Sequence, residues 1–215
     1  MKHDITYRNV PRETYEQAKK HIVENREKID EYISQLLWWN NKISLISRTI
    51  SRQKLQEHII HSILPILLIQ NRGSLPNQII DCGTGGGLPG IPIAICFPGI
   101  HVMANDISTK KIFAVKHMAR QLDIENISFL QSDVRALNVE KNSTIFSKHA
   151  FKIDFLVNTL QDLNIDHFIF YKGGEVKEEL EDIDLNVHIT QYNLTSIQKE
   201  FYSSKVIVQL DTDHE

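Results

Sequence analysis

The feature that most constrains this chain is a glycine-rich run near its centre, Asp81-Cys82-Gly83-Thr84-Gly85-Gly86-Gly87. It is entered from Gln78-Ile79-Ile80-Asp81 and left through Pro89-Gly90-Ile91-Pro92. A short apolar run rich in β-branched residues reads as a strand. Proline just ahead of an apolar segment reads as the first turn of a helix, where its missing N–H costs nothing. Glycines between the two are needed where the backbone turns with positive φ or lets a ligand lie against it. Strand, glycine turn and helix make the first half of a βαβ unit, and such units build parallel sheets.

The alternation continues downstream. Strands are predicted at His101 to Ala104 and Ile127 to Leu130, with helices over Ile91 to Phe97 and Lys110 to Leu122. Further strand candidates are Thr144 to Phe146, His167 to Tyr171, Val187 to Tyr192 and Lys205 to Leu210. The last two have no clear helix between them, which predicts an antiparallel terminal hairpin on a mostly parallel sheet. Upstream, apolar residues recur at three- and four-residue spacing from Tyr15 to Trp39 and predict one amphipathic helix. Asn40-Asn41-Lys42 breaks it, Ile43 to Ile46 is a short apolar piece, and a second helix is predicted from about Arg52 to Ile69, before the turn-rich Asn71 to Pro76. With 215 residues the expected organisation is a helical appendage over 1–75 and one α/β domain over 76–215.

Composition excludes several classes. At 41% hydrophobic and 24% charged residues the chain is that of an ordinary globular protein. No apolar run follows the charges of MKHDITYRNV, so no secretory signal is expected. The longest apolar stretch, Ile59 to Ile69, is broken by His61, Ser62 and Pro65 and falls short of a membrane span. Cys82 and Cys96 form neither a metal-ligand spacing nor a disulfide framework, which suits a reducing cytoplasm. The net charge of -3 argues against an indiscriminately basic nucleic-acid binder, yet it is unevenly spread. Residues 1–75 hold 12 Lys+Arg against 8 Asp+Glu, and residues 160–215 hold 4 against 12. A positive amino-terminal third suits a polyanion, or is simply a solvated helix surface.

In an open parallel sheet the ligand crevice lies beyond the carboxyl ends of the strands, beside the first strand, where Gly83, Gly85 and Gly87 fall. A dinucleotide fingerprint needs glycine at the sixth position, which here is Leu88, so a nicotinamide enzyme is disfavoured. Asp106, at the end of the next predicted strand and 25 residues after Asp81, is placed to accept both ribose hydroxyls of an adenosine moiety. Asp133, closing the third strand in Gln131-Ser132-Asp133-Val134-Arg135, either meets the adenine amino group, with the backbone of Val134 and Arg135 reading the ring edge, or caps a turn. His58 and His61 share a helix face but have no third ligand nearby, so no metal is expected. Trp38 and Trp39 either stack on a base or anchor their helix to the core.

With these residues in hand, the chain resembles the ribosomal RNA small subunit methyltransferase G family, also called glucose-inhibited division protein B. The resemblance is carried by Trp39 to Arg48, by His58 to Leu64, by Asp81 to Ala94 with its Pro89-Gly90-Ile91-Pro92 extension, by Asp106 to Lys111, and by Tyr171-Lys172-Gly173-Gly174-Glu175. It implies a Rossmann-like class I methyltransferase sheet, S-adenosylmethionine as methyl donor, and N7 of a guanine in 16S rRNA as acceptor, on naked RNA or on the small ribosomal subunit. It also implies roles: Gly83, Gly85, Gly87 and Asp106 for the cofactor, and Lys172 with basic residues near the crevice for RNA. The expected cofactor-binding set is therefore Asp81, Gly83, Thr84, Gly85, Gly87, Leu88, Asp106, Val134 and Arg135, and the expected catalytic residues are Lys172 and His149. The family's Ser-Arg-Ala-Phe stands here as Lys148-His149-Ala150-Phe151. A histidine is largely neutral at pH 7 and lacks the planar five-donor fork of arginine. Asp133 and Arg135 replace the family's usual arginine and glutamate, and Lys152 to Ile165 matches poorly. Guanine N7 carries a lone pair and no proton, so the implied reaction needs no general base. The alternative from another class is a catalytically degenerate cofactor-binding module that docks on RNA or a protein.

Overall fold

The alternating runs assemble into one twisted sheet. The computed structural model describes residues 4–73, 75–139 and 143–212. The first three residues of the amino-terminal segment and Ser74 of the turn-rich break therefore lie outside the described residues. In chain order the elements are β1 (Ile5–Asn9), α1 (Arg12–Glu24), α2 (Arg26–Asn40), α3 (Arg52–Gln70), β2 (Gln78–Cys82), α4 (Gly90–Cys96), β3 (His101–Asp106) and α5 (Thr109–Gln121). They continue as β4 (Ile127–Gln131), β5 (Ser143–Lys148), α6 (Ile153–Leu160), β6 (Ile165–Gly173), α7 (Glu178–Glu181), β7 (Val187–Asn193) and β8 (Lys205–Thr212).

The strand order is β1-β7-β8-β6-β5-β2-β3-β4. The chain winds outward from β2 through β3 to β4, then returns to place β5 on the other side of β2, so the topological switch lies between β2 and β5. β8 is the antiparallel strand, inserted between β6 and β7. One face of the sheet is covered by α1 to α5 in a single apolar cluster, and the other by a smaller cluster that includes α6 and α7. The stretch from Ile59 to Ile69 is buried on every side within α3, which explains why it is apolar all round. Among the described residues no helix is long and apolar enough to cross a membrane.

Three details differ from the sequence-based expectation. The periodicity from Tyr15 to Trp39 is carried by two helices broken at Asn25, whose side chain donates to His21 O at 2.9 Å and whose backbone leaves the helical region (φ -109, ψ 23). Ile22 and Ile29 are two turns apart, so the apolar stripe runs through the break and hides it. The antiparallel hairpin does not end the sheet: β1 pairs parallel with β7 and forms the edge. β1 is short and mostly exposed, and its place is set by backbone pairing that no side-chain pattern reports. Finally, α6 fills the segment that matched the family poorly.

Candidate active site

The glycine loop leaves β2 at the switch point and is held from beneath by Asp81. This carboxylate is fully buried, and its Oδ2 accepts from Thr84 Oγ1 at 2.7 Å and Gly90 N at 2.9 Å, tying the loop to the start of α4. Burial outweighs these two bonds and pushes the carboxyl up to about 6. Gly83 N and Thr84 N both donate to Asn105 O at 2.9 Å, which docks the loop on β3. Gly83, at φ +75, needs its missing side chain for space as well: a Cβ there would meet Ala150 Cβ at 2.4 Å. From behind, Tyr32 of α2 donates to Gly86 O at 2.9 Å. Asn40 Oδ1 accepts from Leu45 N and Ile46 N, curling residues 41–46 onto the same loop.

A cleft of about 400 Å³ opens above Gly83, within the range of small-molecule sites. Asp106 ends β3 in its wall, only 5% exposed. Its Oδ1 accepts from Ser108 N at 2.9 Å, and its Oδ2 accepts from Gly85 N at 3.1 Å and Lys111 Nζ at 3.5 Å. Asn105 donates through Nδ2 to Leu130 O, Ser132 O and Ser132 Oγ, which leaves its buried Oδ1 as an acceptor without a partner. Asp133 and Val134 form the floor opposite, and Phe151 stacks on Phe155 at 5.9 Å and 18° to make an apolar wall.

The structure thus brings five of the expected residues, Gly83, Asp106, Asp133, Val134 and His149, to the cleft lining. Asp81, Thr84, Gly85, Gly87 and Leu88 build the loop that supports it. Asp133 takes its alternative role as well, since its Oδ1 caps the following turn through Arg135 N at 2.9 Å. Arg135 points outward, its guanidinium bonded to Asp133 at 3.3 Å and lying 5.5 Å from the Phe155 ring. Lys172 is nearly buried, and its ammonium is engaged within the protein: it donates to Phe151 O at 2.8 Å and pairs with Glu179. Asn105, Ser132, Phe151 and Phe155 also line the cleft. Ser132 and Phe151 lay in segments that the sequence singled out, though neither was chosen, whereas Phe155 sits in α6, where no motif exists.

His149 adopts a left-handed conformation (φ 57) at the cleft rim. Burial, with Lys148 beside it, pushes its imidazole down to about 4, although enough of the ring is exposed for water to screen part of that effect. Lys148 turns inward. Its ammonium donates to His58 O at 2.7 Å and Ser62 Oγ at 2.8 Å on α3, and desolvation pushes it down to about 7. His58 meets the Phe201 ring edge-on at 4.7 Å. His61 is fully buried among the rings of Tyr171, Phe201 and Tyr202, with neither ring nitrogen hydrogen-bonded. Among the described residues no group of three His, Cys, Asp or Glu side chains is arranged to hold a metal ion.

These histidines set the acid stability. Burial holds His61 well below its ordinary value and His58 down at about 3, so between pH 6.5 and 4 the unfolded chain binds protons that the folded chain refuses. Stability falls as pH drops through this window, by about 1.4 kcal/mol per pH unit for each histidine. Asp81, raised to about 6, opposes this below pH 6, but one carboxylate does not outweigh two imidazoles. The urea midpoint is therefore expected to fall between pH 7 and 5. His61→Phe, which fits an aromatic cage that makes no hydrogen bond to the ring, is expected to flatten that fall; an unchanged slope would show that His61 is not held neutral.

The model of the family described as rRNA small subunit methyltransferase G matches residues 25–207. A "Ribosomal RNA small subunit methyltransferase G" from Chlorobium phaeobacteroides is 36% identical over 156 residues, covering 72% of this chain and 69% of that one. Its namesake from Flavobacterium psychrophilum is 32% identical over 182 residues, covering 80% and 84%. Among solved structures, magnesium protoporphyrin IX methyltransferase from Synechocystis PCC 6803, with bound SAM, aligns at TM-score 0.53 and 16% identity, over 75% of this chain and 81% of that one. The N-terminal domain of human METTL16 in complex with SAH aligns at TM-score 0.55 and 15% identity, over 79% and 73%. Both share the fold.

Proposed function

The chain belongs to the rRNA small subunit methyltransferase G family, and from that premise we propose that it transfers the methyl group of S-adenosylmethionine to N7 of a guanine in 16S rRNA. The observation that carries the reading is the cleft between the glycine loop and Asp106 at the sheet's switch point, in a chain whose family match spans it. The residues suit the cofactor. Asp106 offers a carboxylate to ribose hydroxyls, Asn105 Oδ1 is a buried acceptor without a partner, and Gly83 lies in the cleft lining. Val134 gives an apolar floor for a ring, with Asp133 at its edge.

When bound, the cofactor supplies an electrophilic methyl on a sulfonium. The chain's part is to position and to exclude water. Guanine N7 attacks through its own lone pair, which accords with a cleft whose histidine is held neutral rather than paired with an acid. The stacked Phe151 and Phe155 offer an apolar wall to a base taken out of its stack. Lys172, through Phe151 O and Glu179, keeps that wall in place, a positioning role in our reading rather than direct contact with RNA. Holding acceptor, methyl and leaving sulfur in line supplies most of the rate in a reaction without proton transfer. The helices before residue 76 act as an appendage that backs the glycine loop, and the expected setting is the cytoplasm, on the small ribosomal subunit.

Purified protein incubated with labelled S-adenosylmethionine and undermethylated 30S subunits is expected to yield alkali-labile N7-methylguanine in 16S rRNA. Cofactor binding without any methyl transfer would instead make the chain a degenerate binding module.

A further inference from the structure

Outside the cleft, the end of α2 and the outer face of α5 carry a surface the reaction does not use. Lys110, Phe113, Lys116, His117 and Arg120 recur at helical spacing on α5, all exposed, with no acid among them. Phe113 is 61% exposed, and Trp38 on α2 is 53% exposed. Half-buried Trp39 bridges them, meeting Trp38 edge-on at 5.1 Å, Phe113 at 5.9 Å and His117 at 5.5 Å. Lys42 holds its ammonium 4.3 Å from the Trp38 ring. Beside the rings lies a shallow groove of about 350 Å³, whose one acid, Glu31, accepts from Gln35. The patch is continuous with the cofactor cleft, because Ile107 and Lys111, which line the cleft mouth, lead directly into the helix that bears Phe113.

Large aromatics left this exposed call for a partner. The charge around them selects its chemistry: among the described residues Lys42, Lys110, Lys116 and Arg120 enter no salt bridge, so no carboxylate pairs with any of these four cations. Aromatic faces interleaved with unpaired cations are what single-stranded nucleic acid requires, since every base offers a π-face and every linkage a negative charge. We propose that Trp38 and Phe113 form a stacking platform for unpaired bases of RNA, with Lys42, Lys110, Lys116 and Arg120 receiving the flanking phosphates. This rests on the reading of the chain as an RNA methyltransferase and adds a foothold for the substrate outside the cleft.

The chain has two tryptophans, so Trp39→Phe leaves Trp38 as its single fluorescent reporter. A single-stranded RNA 20-mer is expected to quench it, less so at high salt. In Trp38→Ala/Phe113→Ala the affinity for that RNA, and for undermethylated 30S subunits, is expected to fall about tenfold or more. S-adenosylmethionine affinity and Tm should not change, because both side chains face solvent, and Trp38→Phe is expected to retain most of the RNA affinity. Absence of quenching together with unchanged RNA affinity overturns the proposal, whether or not methyl transfer is seen. Quenching without any methyl transfer sinks the catalytic reading and leaves the platform standing. Loss of affinity for subunits alone, with naked RNA bound as before, assigns the patch to a ribosomal protein and overturns it as an RNA site.

Discussion

Replacing Gly83 with alanine is expected to cost about 2–4 kcal/mol of stability and to remove nearly all cofactor binding. Two penalties add. An alanine at φ +75 is strained by roughly 1 kcal/mol or more, and its Cβ would sit 2.4 Å from Ala150 Cβ, an overpacking that typically costs about 1–3 kcal/mol. Neither can relax alone. Gly83 N is bonded to Asn105 O, which fixes the loop to β3, and Ala150 lies between His149 and Phe151, so backing it away displaces one rim and one wall of the cleft. Urea denaturation and calorimetric titration with S-adenosylmethionine measure the two effects. Gly99→Ala is the control: nothing lies within 4 Å of its added Cβ, and it is expected to change stability by under about 0.5 kcal/mol. Equal behaviour of the two variants would show that the loop is not packed against residues 149–151 as described.

Asp106→Ala is expected to weaken S-adenosylmethionine about 100-fold while leaving the protein folded. Hydrogen bonds to a charged group are worth about 1.5–3 kcal/mol each, and two of them to a ribose diol suffice for that factor. The carboxylate lies at the cleft and not in the core, so Gly85 N and Ser108 N can turn to water when it is removed. Asp106→Asn is expected to be intermediate, because the amide keeps one acceptor and loses the charge. Cofactor affinity within threefold of wild type in Asp106→Ala would place the adenosine elsewhere.

Much of the candidate site's backbone geometry was legible before the structure because its requirements are local. A turn that needs positive φ demands glycine at Gly83, Gly85 and Gly87 wherever the chain goes afterwards. Asp106 follows Gly85 by one crossover, a spacing that any βαβ unit reproduces. The strands and most helices followed from periods of two and 3.6, which each segment expresses on its own. The break at Asn25 and the strand at Ile5–Asn9 were not legible, since one leaves the apolar stripe continuous and the other depends on backbone pairing with β7.

What only the tertiary structure decided was where the charged groups near the cleft spend their charge. Lys148 is bonded to groups 86 and 90 residues away on α3, and Lys172, which the family resemblance offers to RNA, closes on Glu179 and Phe151 O, so both ammonium groups are engaged within the protein. A lysine carries four flexible bonds and no period of its own, so its partner depends on which distant element folding brings within reach. The cleft's backbone geometry was thus set by residues next to one another in the chain. The role of each cation was set by residues that meet only when the sheet closes.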